Sequence, residues 1–183
     1  MTTFLAPIEK PKSLGLKLAY YFSKRQFGKV ITPLKIFGAR MPAAFGMFYG
    51  KVAQLDKQLS LPQETVMLIR ERVARINICL FCIDAARAHI ISQKMDTAKF
   101  DALNDYQNSP LFNEAERAVL DYASELTTNK TASPAVFFAM KKHFTERQLC
   151  EIAFIVASEH LYNLTNIGLN IHSDMLCKVP VKN

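Results

Sequence analysis

The 183 residues are enough for one ordinary domain, and half of them are hydrophobic, sufficient for a sizeable core. No stretch offers the roughly 18 or more uninterrupted apolar residues of a membrane span, and no apolar run followed by small residues marks a secretory signal; the expected location is the cytoplasm. Four cysteines are too few for a disulfide scaffold at this length, and the formal net charge of +7 is unevenly spread.

Met1 to Arg40 carries eight of the 23 basic residues but one acid, Glu9, so the remainder is charge-balanced. We read residues 1–40 as a basic N-terminal arm and 41–183 as a single helical domain. Within the arm, Leu14, Leu18, Tyr21 and Phe22 recur at helical spacing, with Lys17, Lys24 and Arg25 elsewhere on the surface. Such a segment suits an arm that covers the core of its own or a neighbouring subunit. A basic surface for an anionic substrate or membrane headgroups is the other use. Nucleic acid is not an expected partner, because no reading motif accompanies the charge.

From Met41 onward apolar residues recur at spacings of three and four and strand-like alternation is scarce, so the fold is expected to be all-α. Pro42 and Pro62 each sit in the first turn of a helix. The stretch "ICLFCIDAARAHIISQKMD" follows the second of these almost without a gap, and a short polar segment runs from Thr97 to Pro110. Asn113 then caps a helix, with Glu116 three residues on in a capping-box arrangement. Ser133 and Pro134 begin another. Thr145 opens the longest, most apolar helix, a candidate for the centre of the core.

In "RINICLFCID" the mediocre helix formers Ile76, Asn77 and Ile78 suggest a break, with Asn77 as N-cap of a new helix. Cys79 would then fall in its first turn and Cys82 about one turn along, near the positive end of the dipole, which favours the thiolate. The C-x-x-C spacing brings both sulfurs to one side, close enough for a reversible disulfide. Two uses compete with a redox pair. The cysteines can be small buried hydrophobes, or ligands of a zinc ion, for which Cys150 and Cys177 lie too far apart to complete four ligands. No metal or organic cofactor is therefore expected.

The segments "LIRERVARINICLFCID", "FNEAERAVLDYASELT" and "HFTERQLCEIAFIVASEHLYNLTNIGLNIHSDML" resemble, in order and spacing, the carboxymuconolactone decarboxylase family, especially its alkyl hydroperoxidase D-like (AhpD-like) branch. The resemblance runs from about Met41 to Leu176. It implies a compact all-α subunit, usually in a homo-oligomer, with the cysteine pair at a helix start in a pocket. It implies further that Cys82 attacks a peroxide, that Cys79 resolves the sulfenic acid to a disulfide, and that a dithiol reductant restores both. The family's relay glutamate and histidine, and the histidine between its cysteines, correspond to Met67, Ala86 and Phe81 here. Glu71 and His89, one helical turn further along, are the displaced candidates for that relay.

Two polar clusters remain. Glu159, His160, Asn163 and Asn166 lie on the long apolar helix, either satisfied in the core or lining the pocket below the cysteines. His172, Ser173 and Asp174 are adjacent in one turn and lack the mutual geometry of a catalytic triad. The expected function is a thiol-dependent oxidoreductase, a peroxidase or disulfide exchanger, acting on a hydroperoxide or disulfide. The alternatives are a lyase or isomerase on a small anionic lactone and a non-catalytic oligomeric module. Phe45, Phe48, Tyr49, Phe137 and Phe138 are apolar residues that one small subunit is not expected to cover alone, which points to a homo-oligomer.

Overall fold

The computed structural model describes residues 2–178, and every regular element among them is helical. Helix α1 spans Leu14–Phe27; the Ser13 hydroxyl caps it by accepting from the Leu16 N–H, and Gly28 ends it in the left-handed region at φ 72°. Its packed face is formed by Leu16, Ala19, Tyr20, Ser23 and Phe27. The Tyr20 hydroxyl donates to the Ile8 carbonyl at 2.5 Å, and the Ser23 hydroxyl accepts from the Ile31 N–H at 3.0 Å. Leu14, Leu18, Tyr21 and Phe22, the stripe at helical spacing, are exposed on this subunit and do not cover its own core. The helix buries the neighbouring face because that face carries the hydroxyls that tie it to the flanking chain.

Two π-helical turns follow, Leu34–Gly38 and Ala44–Tyr49, and the second runs into α2, Gly50–Asp56. Gly38 is needed where these turns meet: a Cβ there would stand 2.8 Å from Leu34 Cδ1 and 3.0 Å from the Phe45 ring. Phe45 and Tyr49, four residues apart, stack inward with ring centroids 5.3 Å apart. They are half-buried, as is Phe137, whereas Phe138 is exposed; the Phe48 side chain lies outside the described residues.

Helices α3 (Gln63–Ile76), α4 (Leu80–Ser92), α5 (Thr97–Asp101), α6 (Glu114–Asn129), α7 (Pro134–Lys141) and α8 (Glu146–Gly168) complete the fold. The polar-looking Thr97–Pro110 segment is largely helical, because Asp96 caps α5 and the segment buries Phe100 and Leu103 completely. Asn113 with Glu116, and Thr145 with Gln148, form the capping boxes that open α6 and α8. The centre is shared between α8 and α3, which packs on α4, α6 and α8 and contributes the fully buried Leu68, Ile69 and Val73. None of the helices is long and apolar enough to cross a membrane among the described residues.

Two long-range clamps hold the ends on this bundle. The Asp174 carboxylate accepts from the Thr32 N–H at 2.7 Å and the Thr32 hydroxyl at 2.6 Å, while the Lys29 ammonium donates to the Asp174 carbonyl at 2.6 Å. Asp84 on α4 accepts from the Leu176 N–H at 2.9 Å and the Cys177 thiol at 3.2 Å. Asp174 thus works as a tie for the arm, and the His172-Ser173-Asp174 run lies in chain without regular secondary structure.

Candidate functional site

The chain does break before Cys79, though by a different device from an Asn77 N-cap. Asn77 is the C-cap of α3, and Ile78 takes a left-handed conformation at φ 57°. Backbone N–H groups of Ile78 and Cys79 return to the carbonyls of Arg75 (3.1 Å) and Ala74 (2.9 Å), a Schellman closure with a β-branched residue where glycine is favoured. Cys79 is therefore the N-cap of α4 and Cys82 its third residue. These are the two positions that a capping box joins, and here a Cys79–Cys82 disulfide joins them, with Cα atoms 5.3 Å apart. In the dithiol state a thiolate at Cys82 would lie against the free N–H groups of the first turn.

Cys79 is almost wholly buried, while Cys82 reaches the wall of a cavity of about 400 Å³. Arm residues Phe27, Ile31 and Pro33 form one side with Phe45 and Tyr49 of the second π-helical turn, and Asp56 of α2 joins α3, α4 and α8 in the rest, through Met67, Phe81, Ala86, His89, Tyr162 and their neighbours. The positions of the absent relay, Met67 and Ala86, thus do face the cavity but offer it only apolar surface. A larger surface groove, lined by Ala43, Gly46, Met47, Gly50 and Ala53, contains none of the residues singled out in the sequence.

At the cysteine end, the Asn166 amide donates to the Cys82 sulfur at 3.4 Å. Asn166 belongs to a polar stripe on α8 with Glu159 and Asn163. The Asn163 amide donates to Glu159 Oε1 at 2.6 Å and its carbonyl accepts from Asn77 Nδ2 at 2.9 Å. His160 turns away from the cavity toward Asn77 (3.4 Å) and Thr127 (3.3 Å), and burial with the nearby Lys130 holds its pKa down. The stripe therefore divides, with His160 and Asn163 satisfied in the core and Asn166 at the cysteine.

The opposite end is polar. Both Asp56 carboxylate oxygens accept from Arg70 Nη2 at 2.9 Å, and Glu159 Oε2 accepts from Arg70 Nη1 at 3.1 Å. Burial raises the Glu159 pKa against the lowering effect of Arg70. Burial lowers that of His89, with Arg70 adding to the effect, and burial pushes the Tyr162 phenol up to about 12. Glu159 belonged to the polar cluster singled out on the long helix, whereas Arg70 carried no motif in the sequence and only the shared cavity joins it to the site.

No protein-family model matches the chain. Escherichia coli YnjA, an uncharacterised protein, is 28% identical over 181 residues, 97% of this chain and 98% of YnjA. The crystal structure of the debrominase Bmp8 superimposes with a TM-score of 0.79 at 22% identity, covering 96% of this chain and 95% of Bmp8. A cysteine-to-alanine Bmp8 variant in complex with 2,3,4-tribromopyrrole gives 0.78 at 21% identity, over 96% and 94%. An alkylhydroperoxidase AhpD core, an uncharacterised peroxidase-related protein from Ralstonia eutropha, gives 0.76 at 21% identity over 93% of each chain. The fold is AhpD-like.

Within this AhpD-like fold the four residues singled out as catalytic are placed unequally. Cys82 and His89, seven residues apart on α4, line the same cavity, and Cys79 is bonded behind Cys82. Glu71 is fully buried, paired with Arg75, and is not among the cavity's lining residues. Its other oxygen, Oε2, has no hydrogen-bond partner, and burial raises its pKa despite Arg75.

Proposed function

We propose that the protein is a thiol-dependent oxidoreductase in which Cys82 attacks and Cys79 resolves. The observation that supports this most is the asymmetry of the pair. Cys82 opens onto the cavity at the third position of a helix with an amide donor on its sulfur, while Cys79 is buried behind it. With a hydroperoxide, the Cys82 thiolate takes the distal oxygen and becomes a sulfenic acid, and the alkoxide leaves with a proton as the alcohol. The Cys79 thiol then displaces water from the sulfenic acid and the disulfide forms. A dithiol reductant, a protein or a small thiol, returns both sulfurs to the reduced state in a homo-oligomer working in the cytoplasm. His89, the displaced relay candidate, lines the same cavity seven residues from Cys82, about 10 Å along α4, so it serves the far end of a bound substrate or acts through intervening water, and burial with Arg70 lowers its pKa.

A second reading uses the same dithiol. The cavity is walled by Phe27, Phe45, Tyr49, Phe81 and Tyr162, and the similar debrominase Bmp8 is known in complex with a tribromopyrrole. The carbon of an aromatic carbon–halogen bond would then take the two electrons and one thiol proton to form a carbon–hydrogen bond, and halide would leave with the second proton as the disulfide forms. The lyase reading fits less well, because the cavity's one arginine is already shared by two carboxylates.

The test is titration of the reduced protein with one equivalent of an aryl hydroperoxide or a bromopyrrole. We expect loss of two thiols per chain and release of alcohol or bromide. Cys82→Ser should abolish disulfide and turnover together, and Cys79→Ser should leave a trappable sulfenic acid. Activity that survived Cys82→Ser would sink both thiol readings.

A further inference from the structure

The cavity has two chemically distinct ends, and the helix register sets their separation. On α4, Cys82 and His89 are seven residues apart; on α8, Asn166 and Glu159 are also seven apart. Asn166 meets Cys82 at one end, and Glu159 meets Arg70 at the other. Two helices thus measure the same span, about 10 Å at a rise of 1.5 Å per residue. Between the ends the walls are aromatic and aliphatic, with Tyr49 and Tyr162 edge to face at 4.9 Å.

The far end is unusual in its charge. Arg70 is the cation there, and its guanidinium is committed on both forks, to Asp56 and to the buried Glu159. One positive charge facing two carboxyl groups leaves none to receive an anion, while acceptor oxygens are in surplus. A carboxylate brought to this end would face like charge in a poorly solvated site, where repulsion is weakly screened.

We infer that the cavity selects an uncharged, aromatic-bodied substrate about 10 Å long, with its electrophilic atom at Cys82 and a hydrogen-bond donor such as a hydroxyl or N–H at Asp56 and Glu159, and that it rejects carboxylates. The assignment of the reacting end rests on the proposed role of Cys82; the selection for shape and charge does not.

The probes are a redox-inert matched pair, a biphenyl methanol and the corresponding biphenyl carboxylate, titrated into the reduced full chain by calorimetry. The alcohol should bind at least about tenfold more tightly than the carboxylate and should slow alkylation of Cys82. Asp56→Asn, which frees one fork of Arg70, should narrow that ratio several-fold by improving carboxylate binding. Equal or tighter binding of the carboxylate, no binding of the alcohol, or alcohol binding that leaves Cys82 alkylation unchanged would each overturn the inference. A ratio unmoved by Asp56→Asn would overturn the role of the Asp56–Arg70–Glu159 cluster. If the binding pattern holds but neither hydroperoxide nor aryl halide converts the dithiol, the redox reading falls and the selectivity of the cavity stands.

Discussion

Asn166 donates to the sulfur of Cys82 across the junction of α8 and α4, so a residue 84 positions along the chain sets the environment of that sulfur. A donor favours the thiolate over the thiol.

Asn166→Leu should therefore raise the Cys82 thiol pKa. Hydrogen bonds to charged groups contribute about 1.5–3 kcal/mol, which corresponds to roughly one to two pKa units. The pH dependence of alkylation in the Cys79→Ser background reads this directly. An unchanged profile would mean that the helix terminus alone sets the thiol.

His89 and Glu71 should separate by readout. Because burial and Arg70 lower the His89 pKa, kcat/KM should fall as pH drops through a limb below the ordinary histidine value of 6.5, and His89→Gln should remove that limb. Glu71→Gln should act on stability instead, because it leaves Arg75 without its buried partner, at about 3 kcal/mol in denaturant unfolding. A loss of rate of a hundredfold or more in Glu71→Gln at full stability would place the relay on α3.

Ile78 is exposed and holds a positive φ that β-branched residues resist. Ile78→Gly should relieve the strain and stabilise the fold by about 1 kcal/mol despite the added chain entropy of glycine. Thermal unfolding checks the sign.

Asp84 binds the C-terminal turn. Burial raises its pKa, but hydrogen bonds from Leu176, Cys177 and Ser173 outweigh that and the net shift is downward. The native state therefore holds the carboxylate ionised where the unfolded chain takes up a proton. Its stabilisation is complete above the unfolded aspartate range and is lost as pH falls through the folded value. Asp84→Asn should remove that part of the acid dependence and lower stability at neutral pH by about 1–3 kcal/mol.

The exposed stripe of Leu14, Leu18, Tyr21 and Phe22 is the surface we propose for assembly. The full chain should sediment as a species heavier than 20.7 kDa at micromolar concentration. Deleting residues 1–29 should loosen that assembly, remove Phe27 from the cavity and lower the melting temperature while leaving the helical spectrum largely intact.

Much of the fold was legible because its signals are local. Asn113 with Glu116, Thr145 with Gln148, and Ser133 before Pro134 cap helices through neighbours within three residues, so the letters alone determine where α6, α7 and α8 begin. The cysteine spacing likewise determines that a disulfide can close within one turn. Tertiary structure decided the rest. An apolar periodicity marks a face for packing but not against what, so it left open whether the α1 stripe covers its own core, which it does not, or another surface, and Phe100 and Leu103 were hidden in a polar-looking segment. Asn77 suited an N-cap by propensity, yet its amide found Asn163 on α8, and a strained Ile78 made the break instead. The cavity itself joins Phe27, Tyr49, Arg70, Cys82, Glu159 and Asn166 from separate elements, a union fixed only when the arm and α8 pack over α3 and α4.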